Sequence, residues 1–184
     1  VITTQGRINQ RPICLPMLDI HTVSAGGGTI ARIDAAGGLQ VGPDSAGADP
    51  GPICYDHGGA EVTITDANLV LGVLNADKFL GGRMKLNKPR AERLLEEKIA
   101  RPLGLNLLEA ADGILKIINV KMEEAIKAVS SQRGYDIRDF TLVAFGGGGP
   151  MHAGRIALDL GIPSLLIPFA PGVTSALGLL MSDV

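Results

Sequence analysis

Thr141-Leu-Val-Ala-Phe-Gly-Gly-Gly-Gly-Pro-Met-His152 is the stretch on which the fold turns. Thr141 to Phe145 is an apolar, strand-like run, and a helical pattern takes over from Met151 to Leu160. Four glycines stand at the changeover, Gly146 to Gly149, where the lack of a Cβ lets a ligand come close to the backbone. The helix that follows begins with unpaired N–H groups, which attract an anion. Two readings of this junction stay open: a bound nucleotide, or a tight turn with no ligand.

Working outward, Ser164 to Pro168 reads as a second buried strand and Gly172 to Met181 as a second helix. Residues 135–184 are therefore expected to form a β-α-β-α unit, with parallel strands in a covered sheet. Residues 61–134 read as helical. Thr65 is a candidate cap for a helix from Asp66 to Leu74, a helix that opens Thr65-Asp-Ala-Asn68. Asn87 is expected to cap a helix from Lys88, with Pro89 in its first turn and Gly104 closing it. Asn106 and Glu109 start a long helix over Leu107 to Arg133 in capping-box fashion. Its apolar residues Leu108, Ala111, Leu115, Ile118, Met122, Ala125 and Val129 recur at spacings of three and four. Residues 1–60 are loop-rich, with a short strand candidate at Ile13 to Met17. A hairpin of Thr29 to Ile33 and Leu39 to Val41 is expected around the turn Asp34 to Gly38.

Composition narrows the function. The 184 residues carry a net charge of −2, are 46% hydrophobic and only 3% aromatic, and include no Trp. Without a basic face, nucleic-acid binding is not expected. No apolar run reaches the length of a membrane span. Cys14 and Cys54 form no C-x-x-C pair, so a reducing, cytoplasmic setting is the expectation. Glycine, at 25 residues, is about twice its usual ~7% share and is clustered.

The loop of Gly146 to Gly149 fits neither common phosphate-binding template. A G-x-G-x-x-G motif from Gly146 meets Met151 where it needs glycine, and a P-loop from Gly149 reaches Arg155-Ile156 instead of Lys-Ser/Thr. A second cluster, Gly26-Gly-Gly-Thr29, resembles the phosphate loops of actin-like ATPases, in which amides and a hydroxyl meet phosphate oxygens. Two such clusters suggest a ligand between them. Asp19 and His21, two apart, would share one face of a strand and hold a metal or relay a proton; a hydrogen-bonded loop pair is the plain alternative. Cys54 and His57 offer further metal-ligand chemistry, though no partner pair stands at zinc-site spacing. His152 is a candidate either to cap the glycine-loop helix or to approach a phosphate.

The stretches LDIHTVSAGGGTIARIDA (18–35), VGPDSAGADPGPICYD (41–56), TITDANLVLGV (63–73), FLGGRMK (79–85), RGYDIRDFTLVAFGGGGPMHAG (133–154) and APGVTSALGLLMSDV (170–184), in this order, resemble one family. It is the ATP-dependent hydantoinase A group, with N-methylhydantoinases, 5-oxoprolinases and the β subunits of acetone carboxylases. Where the family commonly has Gly-Gly-Ala-Gly-Pro-Leu-His, this chain has Gly146-Gly-Gly-Gly-Pro-Met-His152. The resemblance implies an α/β fold: part of an actin-like (sugar kinase/Hsp70-type) ATPase, with a mixed or parallel sheet and a long amphipathic helix. It also implies use of ATP and Mg²⁺ to activate a carbonyl of a small cyclic amide or a ketone, with a hydantoinase B-type subunit or domain as partner. The family's two front phosphate loops, Gly-x-Asp-x-Gly-Gly-Thr and Asp-x-Gly-Gly-Thr-Ser-Thr-Asp, do not occur here. Residues 1–184 are accordingly expected to form the second lobe of the ATPase, completed by an N-terminal lobe. Gly146, Gly147, Gly148, Gly149 and His152 are then expected on the nucleotide, with Gly26, Gly27, Gly28 and Thr29 as further candidates; the resemblance implies that Gly146 to Gly149 is the adenosine-side loop, with Pro150 and His152 starting its helix. Asp19 and His21 are the candidates for catalysis. Three alternatives remain: a non-catalytic nucleotide-binding or assembly lobe, an acetone carboxylase-type subunit, and a metal-dependent hydrolase built on Asp19, His21, Cys54 and His57.

Overall fold

The computed structural model describes residues 2–3, 6–8, 11–18 and 20–182. Four short strands come first: β1 (Ile2–Thr3), β2 (Gly6–Ile8), β3 (Arg11–Ile13) and β4 (Met17–Leu18). They form two small antiparallel pairs, β1 with β4 and β2 with β3. The expected strand from Ile13 to Met17 thus divides around Pro16, whose ring cannot supply a ladder N–H.

The expected hairpin is present and longer than its sequence signal. Strand β5 (Thr29–Ile33) pairs antiparallel with β6 (Leu39–Ser45). Asp34 sets the turn, its Oδ1 accepting from the N–H groups of Ala36 and Gly38, each at 2.9 Å. Ala31 and Val41 turn inward, and Arg32 turns outward to Asp44 at 2.6 Å. The hairpin edge then meets the next segment, where Ala31 N donates to Val62 O at 2.8 Å.

Helix α1 (Ile64–Val70) is buried along its whole length. Its cap is Thr63, two residues before the expected Thr65. The Thr63-x-x-Asp66 spacing makes a full capping box, with Thr63 Oγ1 and the Asp66 carboxylate each accepting from the other's N–H. Helix α2 (Lys88–Leu95) begins at the expected Asn87 cap and continues through a wide turn, Glu96–Ala100, into α3 (Arg101–Leu103). Gly104 closes the run with φ +66°. The glutamates of this run form a solvated face, Glu92 with Lys88 and Glu97 with Arg93.

Helix α4 (Leu107–Val129) has the capping box expected of Asn106 and Glu109, at 2.9 and 3.0 Å. It stops four residues before the expected Arg133: Ser130 leaves helical geometry, its hydroxyl donating back to Ile126 O at 2.6 Å, and a short 3₁₀ turn leads to Gly134. Helix α4 spans two hydrophobic clusters. Ala110, Ala111, Ile114 and Ile118 join the larger one, with the hairpin, α1 and α2; Met122 and Ile126 pack on the smaller one, which includes Ile156, Leu160 and Ile162. Replacing Asn106 by Ala should lower stability by about 1 kcal/mol, measurable by urea unfolding, because the side-chain acceptor for Glu109 N is lost.

The C-terminal unit is β-α-β-α as expected: β7 (Thr141–Val143), α5 (Gly149–Leu160), β8 (Ser164–Leu166) and α6 (Thr174–Met181). Strands β7 and β8 run parallel, Leu142 opposite Leu165. The expected burial of this sheet is not found. Only Leu142 of β7 reaches the smaller cluster, and Val143, Phe145, Leu166 and Ile167 are exposed. Among the described residues all four sheets are two-stranded. No described helix is long and apolar enough to cross a membrane.

Candidate functional site

The loop before β5 is pressed against the start of α1. Gly27 O accepts from both the N–H and the hydroxyl of Thr65, each at 2.9 Å. A Cβ on Gly27 would lie 2.6 Å from Thr65 Oγ1, so glycine is needed for this approach. Thr29 closes the loop on itself: its N–H donates to Gly26 O, and its Oγ1 accepts from Gly26 N at 3.0 Å. Thr29 is buried, and its hydroxyl is already engaged. The N–H groups of Gly27 and Gly28 have no acceptor among the described residues.

The second glycine loop leaves β7 through Ala144, whose N–H donates to Leu166 O at 2.9 Å. Gly146 adopts φ +82°, open to glycine, and donates to Pro171 O at 2.8 Å. Helix α5 then starts at Gly149 with no side-chain cap on Gly148. Gly147, Gly148 and Gly149 also keep N–H groups without an acceptor among the described residues. These lie at the positive end of the helix dipole.

The two loops, about 120 residues apart in sequence, meet at one cleft of about 450 Å³. Gly27, Gly28 and Thr65 line one side, and Gly147, Gly148 and Met151 another. Tyr55, Leu74, Phe79 and Leu80 supply apolar wall. This volume lies within the range of small-ligand sites. Sequence reasoning placed the glycines here but missed Thr65 in this role, and missed Tyr55, Phe79 and Leu80.

His152 points elsewhere. Its ring is 4% exposed, and Nδ1 lies 2.8 Å from Oδ1 of the buried Asn119 on α4. It ties α5 to α4 and does not line the cleft. Burial pushes its imidazole below the ordinary value near 6.5. The unfolded ring then takes up a proton at higher pH than the folded ring does. The stability it gives is fully present above about 6.5 and is lost as pH falls through the folded value. A plot of Tm against pH should therefore decline below about 6.5, and His152→Asn should flatten that decline.

Asp19 lies outside the described residues. His21 is exposed and sits on a separate apolar groove of about 800 Å³, between α4, β7 and α5; Gly149 lies on that groove as well. Cys54 is buried, and its thiol is pushed far up by desolvation and by the nearby Asp66 carboxylate, which takes its N–H at 2.8 Å. His57 stands outside, edge-on to Tyr55. Among the described residues no group of three or more His, Cys, Asp or Glu is placed to hold a metal ion. Cys54 and His57 therefore do not assemble with His21 into a metal centre.

The sequence model of the hydantoinase/oxoprolinase family matches residues 1–184. The chain belongs to the hydantoinase/oxoprolinase family. Within it, the chain is 47% identical over 172 residues to the caprolactamase alpha subunit of Pseudomonas jessenii, covering 94% of this chain and 25% of that one. It is 40% identical to the 5-oxoprolinase of Saccharomyces cerevisiae, covering 92% of this chain and 14% of that enzyme. The crystal structure of the ATP-dependent caprolactamase superposes on all of this chain with a TM-score of 0.89 at 44% identity. A nucleotide-free structure of acetone carboxylase does so with a TM-score of 0.89 at 32% identity. In both cases the chain spans 26% of the solved protein, so this hydantoinase/oxoprolinase segment is about a quarter of those relatives' length.

Proposed function

We propose that this chain is the second lobe of an actin-like ATPase and forms one wall of an ATP site, in an enzyme that activates a carbonyl of a cyclic amide. One observation carries the reading: Gly27, Gly28, Gly147 and Gly148, whose N–H groups no described protein acceptor takes up, line the same cleft. Unpaired amides converging from two loops suit a polyphosphate. The names of the relatives support ATP as its source, since caprolactamase is described as ATP-dependent. The names caprolactamase and 5-oxoprolinase point to a cyclic amide and acetone carboxylase to a ketone; the reading adopts the cyclic amide, and the assay below separates the two.

In this reading Gly27 and Gly28 face the phosphate chain, and the loop before α5 closes the nucleotide from the other side, where its free amides suit a phosphate as well as the adenosine side that the resemblance implies. Thr65 acts through Gly27, fixing the loop so that its amides need not reorganise. Bound ATP supplies a phosphoryl group that turns an amide carbonyl oxygen into a leaving group. Mg²⁺ would accompany ATP and offset phosphate charge, and an N-terminal lobe and a hydantoinase B-type subunit would complete the reaction.

The test is ATP consumption by the full-length protein with its B-type partner. ADP should form in step with ring opening when a cyclic amide such as 5-oxoproline, caprolactam or a hydantoin is added. ADP formation driven by ketones and bicarbonate instead, with every cyclic amide inert, would place the enzyme with the carboxylases.

A further inference from the structure

Between Thr63 and Asn68 the chain buries four polar side chains, Thr63, Thr65, Asp66 and Asn68. Three of them are matched. Thr63 Oγ1 donates to the Asp66 carboxylate at 2.7 Å, and that carboxylate also accepts from the N–H groups of Ile53, Cys54 and Thr63. The Thr65 hydroxyl donates to Gly27 O. Asn68 differs. It is wholly buried, and neither its Oδ1 nor its Nδ2 has a hydrogen-bond partner among the described residues. An amide offers two donors and two lone pairs, and enclosing all of them unpaired opposes folding. Ile64, Ala67 and Leu69 of the same helix show that this interior otherwise takes apolar side chains.

The place of Asn68 relates it to the cleft. Three residues after Thr65, it stands one turn further along the same side of α1. Thr65 lines the glycine cleft. The Asn68 carbonyl accepts from Val73 N and Leu74 N at 2.9 and 3.2 Å, and Leu74 lines the cleft as well. Asn68 itself does not reach the cleft. Its amide is closed to solvent, so neither a bound nucleotide nor another subunit touches it while this wall is in place. A single water is small enough to be its partner. Asn68 supplies such a water with a donor and an acceptor, and Thr65 Oγ1, which donates to Gly27 O, keeps lone pairs with which to accept from it.

We propose that Asn68 is a positioning residue of the phosphate cleft, seating one internal water that bridges to Thr65 Oγ1 and keeps that hydroxyl on Gly27 O. This rests on the reading that the Gly27 and Gly28 amides meet phosphate. A hydroxyl held on its acceptor side stays where it is, and the loop meets the ligand with its amides already aligned. Asn68 is thus polar for the sake of the site and against the stability of the fold.

The experiment separates site from fold with Asn68→Leu, Asn68→Val and Asn68→Ser in the full-length protein. Each variant is unfolded in urea and titrated calorimetrically with ATP. Leucine has the same branching as asparagine, with methyl groups for its oxygen and nitrogen, and valine guards against crowding. At least one of the two should match or exceed wild type in stability, because the apolar side chain needs no partner. Both should bind ATP about tenfold more weakly, the effect of one hydrogen bond. Serine keeps a hydroxyl and leaves room for a second water, so Asn68→Ser should bind ATP within a few-fold of wild type although it is the least stable of the three. Loss of stability in both apolar variants would show that the fold itself needs the amide. Unchanged ATP affinity in them would show that the cleft does not. Either result, or a Ser variant that binds no better than Leu, overturns the role of Asn68 and leaves the phosphate reading standing. If wild type binds no ATP, both fall.

Discussion

Asp66→Ala should destabilise the protein by on the order of 4 kcal/mol, the cost of leaving several buried donors unpaired. The Asp66 carboxylate is fully buried and accepts from Cys54 N, Thr63 N, Thr63 Oγ1 and Ile53 N at 2.8, 2.9, 2.7 and 3.3 Å. It thereby caps α1 and at the same time clips the 53–55 turn onto it. Alanine strands the backbone donors in a site walled by Val62, Ile64 and Ile53, which are wholly buried. Asp66→Asn should cost less, because Oδ1 still serves Cys54 while the amide nitrogen confronts Thr63 and Ile53. Urea unfolding of the three proteins checks the order wild type, Asn, Ala. Equal stability of the Ala variant and wild type would mean that this network does not hold the fold. Tyr55 and Thr65 flank the same network, so ligand binding in the cleft should weaken in parallel.

Gly147→Asp should reduce ATP affinity by about a hundredfold or more and leave Tm unchanged. No heavy atom lies within 4 Å of where a Cβ on Gly147 would stand, and its φ lies outside the left-handed region. The fold therefore accepts a side chain there. A carboxylate a few ångströms from a phosphate opposes it by roughly 3–4 kcal/mol at the effective dielectric of a partly exposed site. Gly147→Asn has nearly the same shape without the charge, and should cost only a few-fold. An identical effect of Asp and Asn on ATP binding would mean that no polyphosphate lies at this loop.

Much of the frame was legible because local chemistry determined it. Asn87, Gly104, Asn106 with Glu109, and the Asp34 turn each carry their own signal and fall where that signal puts them. The α1 cap lies two residues before its expected place because two threonines compete in Thr63-Ile-Thr65-Asp66. The Thr-x-x-Asp spacing that favours Thr63 was in the sequence, but burial of Asp66 was not. The apolar character of β7 and β8 predicts burial, yet hydrophobicity records what a strand prefers to contact, not whether this segment contains the contact. His152 follows a glycine loop, as a phosphate-facing residue does, but helical phase turns it to Asn119 on α4. The cleft could be suspected from two glycine clusters. Its aromatic wall could not, because Tyr55 is placed by the long-range bonds of Asp66 to Ile53 N and Cys54 N and packs on Phe79, which no local pattern encodes.

The most direct test of the central claim is hydrogen–deuterium exchange of the full-length protein with and without ATP. The account predicts that ATP slows exchange at both glycine loops together, at Gly27 and Gly28 and at Gly147 and Gly148, because their unpaired amides find acceptors at once. Slowing at neither loop, or at one alone, with ATP demonstrably bound, would contradict a single site formed between them.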